Sequence, residues 1–130
     1  MNSLFEDLKV GLEQAIDYER GKIMYKNIEK QTKLVLKDQV EYQKGQVVSK
    51  TLVQNEKVSM TIFSFDKGEE ISTHAAPGDA MVTVLEGKGR FTVGGEVFVL
   101  EEGETLIMPK DIPHAVFGEE KFKMQLVVSM

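Results

Sequence analysis

Two histidines, His74 and His114, are the only imidazoles in the chain, and each stands in a stretch punctuated by glycine and proline. The first stretch runs Gly68-Glu69-Glu70-Ile71-Ser72-Thr73-His74-Ala75-Ala76-Pro77-Gly78-Asp79-Ala80 and continues to Gly87 through Val84-Leu85-Glu86. The second runs from Gly103 through Pro109-Lys110-Asp111-Ile112-Pro113-His114 to Gly118. An imidazole can ligate a metal, shuttle a proton, or serve as a polar anchor for a ligand. Two imidazoles hold a divalent metal only when other groups complete the set, because catalytic sites of this kind use about three protein donors plus water. Asp79 is the nearest spare carboxylate, and in an uninterrupted strand it points away from the histidines. It turns inward only if Pro77-Gly78 rotates the chain there. Without a third donor, the pair reads as neutral, hydrogen-bonded groups lining a cavity.

The rest of the composition narrows the chemistry further. The 130 residues contain no cysteine, which excludes thiolate metal sites, cysteine nucleophiles and dithiol redox chemistry. Lys and Arg number 16 against 21 Asp and Glu, net −5, with no basic cluster, so no nucleic-acid surface is expected. Ser72 stands near His74 but outside any Gly-x-Ser-x-Gly turn that would expose a nucleophile. Gly87-Lys88-Gly89 lies between strands rather than ahead of a helix, so it is no phosphate loop. The opening residues MNSLFEDLKV carry acids where a secretory signal needs positive charge, and no apolar run approaches the roughly 20 residues of a membrane span. The expectation is a soluble, cytoplasmic protein with no membrane partner.

One domain of this length buries about two-thirds of its unfolded surface and needs no disulfide or structural metal. Leu4, Leu8, Leu12, Ala15 and Ile16 recur at helical spacing, Ser3 and Glu6 form a capping-box pattern, and Gly21 follows Arg20. This predicts one N-terminal α-helix over Ser3 to Arg20. From Ile23 onward the pattern is all-β: strands are predicted at Lys33–Leu36, Val47–Val53, Val58–Phe65, Met81–Leu85, Gly89–Val93, Glu96–Leu100, Thr105–Met108 and Lys123–Val128. Gly94-Gly95 is a two-residue hairpin signal, and Asn55-Glu56-Lys57 a softer turn. An antiparallel sheet of this many short strands is expected to close on itself and so remove its edges. Met60, Met81, Met108 and Met124 fall on strands and read as core filling. The organisation implied is a helix, residues 1–22, packed on the barrel or on a dimer partner, followed by a β-barrel domain, residues 23–130.

The two histidine stretches together resemble the cupin family. The first matches its first motif in Gly68, in the five residues between that glycine and His74, and in the Val-Leu-Glu-Gly ending at Gly87. The second matches in Gly103, in Pro109 after five residues, and in His114 five positions later. The resemblance covers about residues 58 to 128 and implies a double-stranded β-helix, the jelly-roll barrel, with a homodimer formed through sheet edges. A metal-binding cupin carries two histidines and a glutamate in the first motif and one histidine in the second, all pointing into the barrel. On that pattern His74 and His114 hold ligand positions, whereas Ala76 stands at the second histidine and Ala80 at the glutamate. Gly118 replaces the asparagine that often follows the last histidine.

The function expected from this degraded set is small-molecule binding in the barrel cavity, without catalysis, at His74, Ala76, Ala80 and His114. The alternative is a metal-dependent cupin enzyme of the dioxygenase or isomerase type, in which His74 and His114 hold Fe, Mn, Ni or Zn.

Overall fold

In a computed structural model of the protein, residues 24–130 are described. The helix predicted over Ser3 to Arg20, and with it the division at residue 22, lies outside the described residues. Within them the chain forms a 3-10 turn at Leu36–Gln39 and seven strands: β1 (Val47–Gln54), β2 (Val58–Phe65), β3 (Glu70–His74), β4 (Asp79–Val93), β5 (Glu96–Glu101), β6 (Thr105–Met108) and β7 (His114–Ser129). All strand pairs are antiparallel.

β4 and β7 pair along almost their full length, from Asp79 against Ser129 to Val93 against His114, and build the architecture. Their register shifts between Val84 and Glu86 and again between Gly87 and Gly89. Such irregularities bend a strand and raise its twist. On one side of the bend, β6, β4, β7, β2 and β1 make a five-stranded leaf; on the other, β5, β4, β7 and β3 make a four-stranded one. Closure of the ladder is not observed. Among the described residues β1, β3, β5 and β6 each pair with a single neighbour, so there the two leaves meet through side-chain packing rather than through hydrogen bonds.

Between the leaves lies the main core: Phe65, Ala80, Val82, Val84, Phe91, Leu100, Met108, Val116, Phe122, Met124 and Val128. A smaller cluster of Val40, Leu52 and Ile62 sits on the outer face of the five-stranded leaf, where Ile28 and Leu36 pack against it. β2 is therefore apolar on both faces, sending Phe63 and Phe65 inward and Met60 and Ile62 outward. Polar groups fasten the covering segment. The Tyr42 hydroxyl donates to Glu86 Oε2 at 2.7 Å, the Ser64 hydroxyl to Glu41 O at 2.7 Å, and Lys123 Nζ to Lys37 O at 2.7 Å.

Several sequence-based expectations need correction. Lys33–Leu36 is not a strand; Leu36 packs against the outer cluster while Val35 is exposed, and the chain turns at Leu36–Gln39. The two strands predicted at Met81–Leu85 and Gly89–Val93 are one bent strand, β4, because Gly87 provides a bulge rather than a turn. β7 starts nine residues before the predicted Lys123, at His114. β3, which carries His74, has no strand signal in the sequence, since Glu70–His74 is mostly exposed and lacks alternation. Met108 and Met124 are core, Met60 borders the outer cluster, and Met81 is 41% exposed. Val58–Phe65 and Thr105–Met108 fall where predicted, and Gly94-Gly95 turns between β4 and β5 with both residues at positive φ.

Candidate functional site

His74 ends β3 and His114 begins β7, and the two residues face each other across the ladder. Each therefore stands on a strand end rather than in a loop. On its other side His114 is in register with Val93 of β4. His114 is 3% exposed, whereas His74 is open to solvent. The pair thus forms the polar rim of one end of the main core, beside Val93, Ile71 and Val116.

Both rings are oriented by the same device. His74 Nδ1 donates to the carbonyl of Ser72 at 2.9 Å, and His114 Nδ1 to the carbonyl of Ile112 at 3.2 Å, two residues earlier in each case. A carbonyl only accepts, so Nδ1 carries the hydrogen in both rings and, in the neutral form, each Nε2 is a bare lone pair. These two Nε2 atoms lie 3.1 Å apart, with ring centroids 4.3 Å apart and planes at 71°. Two acceptors at that distance repel unless something lies between them: one proton, a hydrogen-bond donor of a ligand, or a metal ion. Adding a proton to His114 is opposed, because burial, reinforced by the neighbouring His74, holds its pKa below the ordinary value, against a smaller upward pull from the Ile112 carbonyl.

That direction gives a pH prediction. A histidine whose folded pKa lies below its unfolded value binds protons better when unfolded, so its contribution to stability is complete above about pH 6.5 and is lost as pH falls below it. Urea unfolding of the wild type is expected to show a falling midpoint between pH 7.5 and pH 5. The fall should be smaller in His114→Gln, and an equal fall in both proteins would assign the effect to other groups.

The remaining sequence-derived positions sort clearly. Ala80 is buried in the main core, in register with Met108 and Val128, and Ala76 packs against that core while its carbonyl accepts from Asp111 N at 3.1 Å. Asp79 is exposed, and its Oδ1 accepts from Lys110 N at 2.8 Å, so the carboxylate holds the Pro109–Asp111 loop. For a divalent ion, the two Nε2 atoms fit as adjacent ligands, since metal–nitrogen bonds of about 2.0–2.1 Å at near-tetrahedral or right angles put the nitrogens about 3 Å apart. Beyond those two nitrogens, the positions at which the family resemblance places further donors are methyl groups. Among the described residues, no three His, Cys, Asp or Glu side chains gather. A complete protein-only metal site is thus not assembled from them. Sequence reasoning missed the carbonyl anchors at Ser72 and Ile112, which depend on backbone direction and leave no residue-type signal.

The fold and the paired histidines place the chain among known proteins. The cupin domain family matches residues 61–130, and the chain belongs to the cupin family. It is similar to a conserved protein of unknown function from Streptococcus pyogenes, at 44% identity over 82% of this chain and 93% of that one, TM-score 0.80. A cupin superfamily protein from Desulfitobacterium hafniense matches at 29% identity over 82% of this chain and 97% of that one, TM-score 0.78. A salicylate 1,2-dioxygenase from Pseudaminobacter salicylatoxidans shares the fold at 20% identity, covering 64% of this chain and 26% of its own, TM-score 0.60. No curated protein matches the chain. No helix among the described residues is long and apolar enough to cross a membrane.

Proposed function

We propose that this cupin binds a small molecule at the His74–His114 end of its core and does so without catalysing a reaction. One observation carries the reading: two Nε2 acceptors, each fixed from behind by a backbone carbonyl, converge at 3.1 Å at the edge of an apolar interior. A few convergent polar groups on an apolar wall are how small-molecule sites are commonly built. A ligand presenting an N–H or O–H group to both nitrogens would remove their repulsion, and Val93, in register with His114, makes the neighbouring wall apolar. The Asp79 carboxylate accepts from the Lys110 amide, and among the described residues no third His, Cys, Asp or Glu side chain gathers with the two histidines. A cytoplasmic homodimer joined through the single-partnered edge strands belongs to the same reading.

The second reading, a metal-dependent enzyme of the dioxygenase or isomerase type, is favoured by the same 3.1 Å separation, which suits two adjacent ligands on one Fe, Mn, Ni or Zn ion. Such an ion would supply Lewis acidity and open coordination positions. His74 and His114 would hold it, with their Nδ1 bonds to Ser72 and Ile112 fixing the ring planes.

Elemental analysis of untagged protein, with His74→Ala and His114→Ala beside it, separates the two. Metal-free protein whose melting temperature rises with a small molecule in the wild type, and in neither variant, supports the binder. Stoichiometric metal lost in both variants overturns it in favour of the enzyme.

A further inference from the structure

On the outer face of the five-stranded leaf, residues from 28 to 40 cover β1 and β2, but the apolar surface continues past them. Met60, Val127, Met81 and Ile107 stand in one register row, one residue each from β2, β7, β4 and β6. Residues directly opposite in an antiparallel ladder project from the same face, and Met60 borders the outer cluster, so the whole row points outward. Met81 is 41% and Ile107 52% exposed, and Val127 is half-buried. The flanking rows are polar there, with Gln125, Thr83 and Thr105 on one side and Ser129 and Asp79 on the other. The strip is one residue wide and about 14 Å long, three strand spacings. A rod lying across the strands fits it better than the flat face of a second sheet.

The sequence preceding the described residues carries an apolar stripe at helical spacing. The described part of the chain begins at Met24 and fastens at once to β1, with Lys26 N donating to Leu52 O at 2.9 Å and Asn27 Nδ2 to Thr51 O at 2.8 Å. At this point β1 lies against Thr61 and Met60, the β2 end of the strip. The first described residues thus stand beside the end of the row. Leu4, Leu8, Leu12, Ala15 and Ile16 share helical spacing. As a helix, Leu4 to Ile16 would span about 18 Å, and the five strands from β1 to β6 extend about 19 Å.

We infer that the Leu4–Ile16 stripe docks as a helix across Val127, Met81 and Ile107 of its own barrel, completing the cover that residues 28–40 begin.

Hydrogen exchange on the full chain tests this. Amides within residues 4–16 are expected to exchange at least tenfold more slowly than in the free peptide. Ile107→Glu and Met81→Glu, both at exposed positions, should remove that protection while leaving the Val82 and Phe91 amides unchanged. In this cysteine-free chain the pair Leu12→Cys with Ile107→Cys, and the same with Leu8→Cys, adds a measurement independent of those variants' folding, and at least one pair is expected to oxidise to a cross-linked monomer. Free-peptide exchange in the wild type, or protection that survives both glutamates, would overturn the inference. So would cross-linking between chains only, which would assign the strip to a second copy.

Discussion

Phe122→Ala is expected to lower the free energy of unfolding by about 3–5 kcal/mol, read as a shift of the urea midpoint at constant m-value. Phe122 is fully buried at the bend of β7, where the two leaves part. Its ring stacks on Phe65 at 4.5 Å and meets Phe91 edge-on at 6.0 Å, so one side chain joins β2, β4 and β7. The cavity left by alanine is walled by three hydrogen-bonded strands that cannot collapse independently. Val99→Ala, on the exposed side of β5, serves as the comparison and should cost within about 0.5 kcal/mol. A loss below about 1 kcal/mol for Phe122→Ala would mean that the leaves close over the gap and that this ring does not set their separation.

The second large effect is expected at Gly87→Ala, about 3 kcal/mol, from a left-handed backbone penalty of about 1–2 kcal/mol added to a steric one of about 1–3 kcal/mol. Gly87 has φ +82°, and a Cβ there would overlap the carbonyl of Lys121 and lie 2.8 Å from Phe122 Cα. Both obstacles are backbone of the paired strand, so relief requires β4 and β7 to separate at their bend. Gly95→Ala isolates the conformational part: its φ is +85° with open space around it, and about 1–2 kcal/mol is expected. Equal losses in the two variants, by urea or thermal unfolding, would show that the close approach of the strands at Gly87 contributes nothing. Since the bend carries both leaves past each other, the Gly87 variant also tests whether the His74–His114 pair depends on it.

Much of the β-domain follows from local chemistry. Runs of β-branched and other apolar residues in Val58–Phe65 and Thr105–Met108, and two glycines able to take positive φ at Gly94-Gly95, are enough to place those strands and that turn. The spacing of glycine, proline and histidine in the two motif stretches carries the family and brings His74 and His114 forward as partners. Lys33–Leu36 reads as a strand because a short apolar run beside a sheet and one within it have the same composition; the structure sets Leu36 against the outer cluster and leaves Val35 exposed. Likewise, Gly87 looks alike in sequence whether it turns a chain or bulges a strand; only pairing with β7 decides. Met81 has the residue type of a core position, yet it faces outward because the register with Ile107 and Val127 puts it on the other side of the sheet from Ala80 and Val82.

For the site, the sequence by itself determined that His74 and His114 are the two imidazoles available to meet, and the family resemblance sets Ala76 and Ala80 where metal-binding members carry donors. The tertiary structure alone decided how the imidazoles meet. The direction of the Ser72 and Ile112 carbonyls fixes the Nδ1 hydrogens, the β3–β7 register brings the two Nε2 atoms to 3.1 Å, and the Lys110 amide takes the Asp79 carboxylate. Each of these is a vector set by backbone that is distant in sequence or unmarked by residue type, and such vectors exist only once the sheet has folded upon itself.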